Sequence, residues 1–263
     1  MCGRYASSRR PEDLIEEFEV EQAMVQESLE PDYNVAPTKE VYAVVQRPPS
    51  KDKQRPAERQ LRVLGWGLVP SWAKDPAIGN RMINARIETA ADKPAFRKAF
   101  AARRCLLPAD GYYEWYVLGG DEADDEPGDA PGAKRGKPRK QPFFIRPADG
   151  AVLAMAGLYE IWRDPTRADD DPARFRWTCT VLTTTAEDDL GHIHDRMPLL
   201  VDPENYARWL DPAVSDPHAV SGLLVPAAPG RLEAYPVSTL VNNVKNNGPE
   251  LVEPLATEPP LPA

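Results

Sequence analysis

The chain has 263 residues, 42% hydrophobic and 28% charged, with a formal net charge of −9 at pH 7. That length allows a sizeable core in one large domain, and the apolar content is too high for a wholly disordered chain. No apolar run reaches the ~18 residues of a membrane helix, residues 1–10 lack the apolar stretch of a secretory signal, and Cys2, Cys105 and Cys179 stand at unrelated spacings that imply no disulfide framework.

Taken in order, residues 11–18 predict a helix. Pro11 suits a first turn, Ser8 stands just before it, and Leu14, Ile15 and Phe18 recur at helical spacing. Residues 33–38 read as a turn leading into an apolar strand at 41–45. The polar, proline-containing stretch 47–59 predicts a hairpin loop. Short strands are expected at 61–68 and 105–107, with a helix at 94–102 between them. Residues 119–140 are low in complexity and predict an insertion. Strands resume at 142–146, 151–162 and 175–184, with a loop at 164–174. A helix at 203–210 and a last strand near 232–238 complete the chain. The 29 prolines favour many short elements over long helices. The fold class is a single α+β domain, 1–263, with a substantial β component.

Acids concentrate at 121–129 and 164–171, which read as solvated loops. Bases gather around Arg4, Arg9 and Arg10, at Arg81 and Arg86, and at Arg97, Lys98, Arg103 and Arg104, which charge alone assigns to an ordinary solvated face.

Phosphate-binding loops, zinc-binding pairs, nucleophile elbows and dinucleotide glycine patterns are absent, so neither a metal nor an organic cofactor is expected. The amino terminus stands out instead. Removal of Met1 would make Cys2 the first residue, with a free α-amine of reference pKa ~7.7–8.0 and a thiol of ~8.5 on the adjacent carbon. Such a 1,2-aminothiol condenses with an aldehyde to an imine and closes to a five-membered thiazolidine. An incidental cysteine on an unprocessed terminus is the competing reading. Cys105 and Cys179 read as buried structural thiols, the latter sharing a strand face with Trp177 and Val181.

Glu114 alternates with Tyr113 and Trp115 and shares its strand face with Tyr112 and Tyr116. A carboxylate among rings is desolvated and suited to proton transfer; an edge glutamate facing water, or one paired with arginine, is the alternative. His192 and His194 stand two residues apart without a third metal ligand at sensible spacing. Asp195 and Arg196 would orient His194 and supply a cation, or Asp195 would simply cap a turn. Asn84 with Arg86 suggests groups beside an anionic ligand, against a satisfied core amide. Trp72, in a turn, would stack on a base or belong to the core.

Together these segments resemble the SOS response-associated peptidase (SRAP) family, proteins that crosslink to abasic sites in single-stranded DNA. The resemblance runs from Met-Cys-Gly-Arg-Tyr through Tyr-Asn-Val-Ala-Pro, Trp-Gly-Leu-Val-Pro-Ser-Trp, Ile-Asn-Ala-Arg-Ile-Glu-Thr-Ala, Gly-Tyr-Tyr-Glu-Trp and His-Asp-Arg-Met-Pro to Val-Asn-Asn-Val-Lys-Asn. It implies a barrel-like, bifurcated sheet flanked by short helices. Cys2 would be the catalytic residue, Asn84 would position its amine and the sugar, Glu114 would move protons, and His194 would assist ring opening. Arg4, Arg86 and Arg196 would hold phosphates, Trp72 would pack at a single-strand/duplex junction, and Pro37 and Thr183 would line the site. The implied partner is abasic single-stranded DNA, bound by a monomer in the cytoplasm and on the nucleoid when engaged. A cysteine or N-terminal-nucleophile peptidase and a non-catalytic single-strand binding module are the alternatives.

Overall fold

The computed structural model describes residues 2–48, 56–118, 139–186, 193–224 and 230–256. Most of the expected 119–140 insertion, the middle of the 47–59 loop, and His192 lie outside these. The described segments form strands β1 (Tyr5–Ser7), β2 (Gln22–Ala23), β3 (Asp32–Val35), β4 (Glu40–Arg47), β5 (Glu58–Trp66), β6 (Asn84–Arg86), β7 (Arg104–Ala109), β8 (Gly111–Val117), β9 (Lys140–Pro147), β10 (Leu153–Arg163), β11 (Phe175–Thr185), β12 (Arg196–Pro198) and β13 (Leu232–Pro236). The helices are α1 (Pro11–Glu17), α2 (Ile87–Ala90), α3 (Arg97–Ala102), α4 (Tyr206–Leu210) and α5 (Pro217–Ser221), joined by several 3₁₀ turns.

Strands β4, β5, β11, β10 and β7 close into a five-stranded barrel. Closure depends on one short parallel contact, Gly65 opposite Thr178 and Trp66 opposite Cys179. A second sheet, in the order β13-β9-β8-β1-β3, packs beside it. The architecture is thus the mixed α+β domain that the sequence pattern and the resemblance both imply.

Alternation along the barrel strands divides two cores. Val41, Ala43, Val45, Leu64, Trp66, Cys105, Leu107, Met155, Tyr159, Cys179 and Val181 fill the interior. Tyr42, Val44, Leu61, Leu106, Ala154, Ala156, Leu158 and Leu182 face outward and are covered by α1, α3, α4 and α5. Cys105 and Cys179 are fully buried, as expected of structural thiols. Gly67 lets the chain leave the barrel: its φ is +138°, and a Cβ there would come within 2.7 Å of the Gly79 carbonyl oxygen.

Four local expectations are corrected by tertiary contacts. Ser8 does not cap α1; its N–H donates to Asp110 at 2.6 Å, and Arg10 takes the cap position. Residues 32–35 form β3 rather than a turn, because they pair with β1, Tyr5 opposite Val35. Asn34 of β3 is buried and donates to the carbonyls of Val241, Asn243 and Asn246, tying the C-terminal segment to the second sheet. The turn falls at Pro37 and Thr38, the latter at φ +76°.

Arg104 is likewise not part of a solvated face. It is buried, and burial lowers its pKa to about 10. It donates to the carbonyls of Phe100, Ala101, Trp209 and Asp211, satisfying the ends of α3 and α4. Asp164, placed in a solvated loop by its sequence, is buried and accepts from Thr166 and Arg176.

Candidate active site

Strand β1 positions the amino terminus. Pairing of Tyr5 and Ala6 with Tyr112 and Gly111 of β8 lays the chain across the second sheet. The preceding Cys2 is thereby driven against the barrel core, where it is fully buried. Burial, and then the charge of nearby Glu114, push its thiol well above the usual range, so the resting sulfur is protonated.

Asn84 opens β6, which pairs in parallel with β11 (Asn84 opposite Val181) and thereby reaches the terminus. Its Nδ2 donates to the Cys2 carbonyl at 2.8 Å. Its Oδ1 is buried and accepts no hydrogen bond among the described residues, leaving an acceptor beside Cys2. The amide is therefore neither an ordinary core asparagine nor a surface one.

Glu114 sits on β8, which is flanked by β1 and β9, so the edge-strand reading fails. As the alternation predicts, Tyr112 and Tyr116 share its side while Tyr113 and Trp115 pack into a separate cluster. The side chain is 3% exposed. Burial raises its pKa from 4.5 to about 7, outweighing the positive charge of the amino terminus. At neutral pH the carboxylate is divided between its two protonation states, which suits it to accept and return protons.

His194 approaches from the segment before β12, its Nε2 4.0 Å from Glu114 Oε2. The Arg196 backbone N–H donates to His194 Nδ1 at 3.0 Å, while Asp195 Oδ1 lies 2.8 Å from the same nitrogen. The backbone N–H can only donate, whereas the Asp195 side chain is 84% exposed and its contact is screened by solvent. Nδ1 is therefore the acceptor, and the neutral ring carries its proton on Nε2, toward Glu114. Burial lowers the His194 pKa, reinforcing the neutral form. Among the described residues no three His, Cys, Asp or Glu side chains gather to hold a metal.

Arg196 is engaged within the protein. Its two terminal nitrogens reach Glu88 at 2.7 and 3.1 Å, and one also donates to the Thr183 carbonyl at 2.7 Å and hydroxyl at 3.2 Å. Glu88 escaped the sequence reading, although it stands only two residues beyond Arg86. The pair joins the segment carrying Asn84 to the one carrying His194. Thr183 is thus a buried anchor at the site's edge.

Arg4 donates to Asn34 Oδ1 at 2.6 Å and the Val241 carbonyl at 2.9 Å, and stacks 5.7 Å from the Trp115 ring centroid. Arg86 is exposed. Trp72 is 55% exposed, with Nε1 3.4 Å from the Pro94 carbonyl, so it is not a core residue. Pro37 is half-buried in the turn between β3 and β4. That turn is tethered by the Thr38 N–H to the Trp66 carbonyl, and the Trp66 indole donates in turn to Ile83, next to Asn84.

Buried Cys2, the Asn84 amide on its carbonyl, and Glu114 with His194 beside it thus come together against the core of a closed barrel. The sequence profile described as SOS response associated peptidase (SRAP) matches residues 1–244. The chain is 39% identical over 254 residues to the abasic site processing protein YoqW of Bacillus subtilis, covering 96% of this chain and 99% of that one. It is 32% identical to the abasic site processing protein YedK of Escherichia coli, covering 97% and 100%. A crystal structure of a protein from Bacteroides thetaiotaomicron shares the fold, with a TM-score of 0.72 and 23% identity over 97% of this chain and 100% of that one. The chain belongs to the SRAP family. No helix among the described residues is long and apolar enough to cross a membrane.

Proposed function

We propose that this protein processes abasic sites in single-stranded DNA by trapping the lesion covalently at Cys2 after removal of Met1. The observation that carries the proposal is the convergence on Cys2 of the Asn84 amide and the buried carboxylate of Glu114. The names of the relatives YoqW and YedK support the substrate.

In the ring-opened form an abasic deoxyribose presents an aldehyde. The Cys2 α-amine adds to that carbon, and the resulting carbinolamine loses water to give an imine. Glu114 supplies the proton that lets hydroxide leave as water. The Cys2 sulfur then adds to the same carbon, its proton passing to the nitrogen, and a thiazolidine closes. No oxidant or cofactor enters. A protonated thiol favours this order, because the amine attacks first and sulfur need only capture an activated carbon.

In this proposal Asn84 Oδ1 holds the amine, and His194 Nε2–H serves the sugar oxygen during ring opening. Arg4 and Arg86 contact phosphates, and Trp72 meets a base at the junction. Arg196 acts beside them at the rim while held by Glu88. Pro37 and Thr183 shape the wall.

The test is incubation with abasic single-stranded DNA, read by denaturing gel and intact mass. A heat-stable adduct of protein lacking Met1 plus DNA less one water is expected, with none from Cys2→Ala or from a variant that retains Met1. An adduct mapped to another side chain, or undiminished in Cys2→Ala, would refute the mechanism. Peptide cleavage without adduct would favour the peptidase reading.

A further inference from the structure

The barrel has a second end. Asn84, which holds the Cys2 carbonyl, pairs opposite Val181, four residues along β11 from Trp177 and about 13 Å away at ~3.3 Å per residue, so the mouth around Trp177 is separate from the Asn84 contact. By alternation Arg47 follows Val41, Ala43 and Val45 on the inward face of β4, and Arg62 precedes Leu64 and Trp66 on that of β5. Trp177 and Tyr159 complete this mouth from β11 and β10, and Arg103 adjoins at the foot of β7, its carbonyl accepting from the Tyr159 N–H at 2.9 Å. The guanidinium carbons of Arg62 and Arg47 lie 4.2 and 4.9 Å from the Trp177 ring centroid. Tyr159 stacks on the same indole, centroids 5.6 Å apart.

Two of the three arginines at this mouth form no ion pair among the described residues, although Glu58 stands opposite Arg47 in the β4–β5 ladder. Arg103 is matched by Glu160 at 2.7 Å. Arg62 gives its Nε to the Gln60 side-chain oxygen at 2.9 Å, yet among the described residues no carboxylate stands within ion-pair distance of Arg62 or Arg47. Burial, then the Arg47 charge, push the Arg62 guanidinium below its usual range. Two like charges are thus locked by stacking in a chain whose overall charge is −9. A cavity of about 340 Å³ opens against Arg62 and Trp177, within the ~300–1,000 Å³ typical of ligand sites. Glu27 and Glu40 line it as well.

From this juxtaposition we infer that the Arg47–Arg62 pair over Trp177 is a phosphate-binding site for a nucleotide. Planar guanidiniums held on an aromatic face are preorganised for bidentate phosphate contacts. Glu27 and Glu40 would accept from the amino groups that a base presents. The phosphate belongs either to a strand running beyond the lesion site or to a free nucleotide. Neither case depends on chemistry at Cys2.

The test uses the full chain and three probes: inorganic phosphate, deoxyadenosine 5′-monophosphate and an unmodified single-stranded oligonucleotide. Phosphate and the nucleotide are expected to raise the melting temperature of the wild type above a sodium chloride control of equal ionic strength. In Arg62→Gln and in Arg47→Gln the apparent affinity is expected to weaken about tenfold or more, the effect of removing one charge-assisted hydrogen bond. Strand binding separates the sources. If a strand occupies the site, the slope of log affinity against log salt falls by ~0.7 for each phosphate that the variant no longer neutralises. An unchanged slope with weakened mononucleotide binding assigns the site to a free nucleotide. Should Arg62→Gln not fold, Arg47→Gln carries the same test, because Arg47 is half-buried and its side chain makes no hydrogen bond among the described residues. A melting temperature that does not respond to phosphate, or responds equally in the variants, overturns the inference. Adduct formation on a short abasic oligonucleotide should persist in both variants, so failure here is distinct from failure at Cys2.

Discussion

Replacing Glu114 by glutamine should slow the reaction and stabilise the protein in alkali. The side chain is almost fully buried, and its pKa rises from 4.5 to about 7 chiefly through desolvation. A carboxyl with a raised folded pKa binds its proton more tightly in the native than in the unfolded state. Its contribution to stability is therefore complete below pH 4.5 and is lost as pH rises to about 7. The gap between those values corresponds to ~3 kcal/mol at ~1.4 kcal/mol for each pH unit. Gln keeps the shape and never ionises. Urea unfolding of both proteins at about pH 5 and about pH 8 measures the difference, of which ~2–3 kcal/mol falls between those pH values by the same linkage. The lowered pKa of His194 contributes a slope of opposite sign to both proteins, so the comparison cancels it. Stability of the wild type should fall relative to Glu114→Gln on going to the higher pH. Crosslinking should meanwhile slow by ~10²–10⁴, the usual contribution of a general acid–base, with affinity for intact single-stranded DNA unchanged. Identical pH slopes in the two proteins, or affinity reduced while the rate holds, would refute the argument.

Three further outcomes follow from the contacts. Glu88→Gln removes the bidentate partner of Arg196 and should cost ~1–2 kcal/mol in thermal unfolding; because Arg196 also positions the His194 ring through its backbone, the adduct rate should fall as well, although Glu88 touches no substrate in the proposal. Trp72→Ala should leave the melting temperature nearly unchanged, since the ring is 55% exposed, while weakening strand binding by ~1–3 kcal/mol in a titration. Gly67→Ala should destabilise by more than ~1 kcal/mol, because φ is +138° and the new Cβ meets backbone 2.7 Å away.

The elements legible in the sequence were those whose own spacing carries the signal. Leu14 and Phe18 at helical separation marked α1, and alternation placed Glu114 with Tyr112 and Tyr116 and set Cys179 beside Val181 inside the barrel. Cys2, Asn84, Glu114 and His194 stood out as candidates, and the motifs that carry the family resemblance implied their roles. Strands β1, β6 and β12 have three residues each. Such a length is too short to display a period, and these strands exist because distant partners supply their hydrogen bonds. The same holds for β3, which its turn-forming sequence disguised.

Charge was the least legible property. Arg104 and Asp164 look like surface residues in a one-dimensional string, and whether each is solvated depends on which carbonyls or donors the fold brings to it. Amino-acid order alone determined which side chains face together along each strand, and placed a cysteine at position 2. Only the tertiary structure decided that Asn84 reaches the Cys2 carbonyl, that Glu88 holds Arg196, and that Glu114 is dry enough to titrate near neutrality. Facing is set by backbone geometry over a few residues, whereas proximity and dielectric are collective properties of strands far apart in the chain.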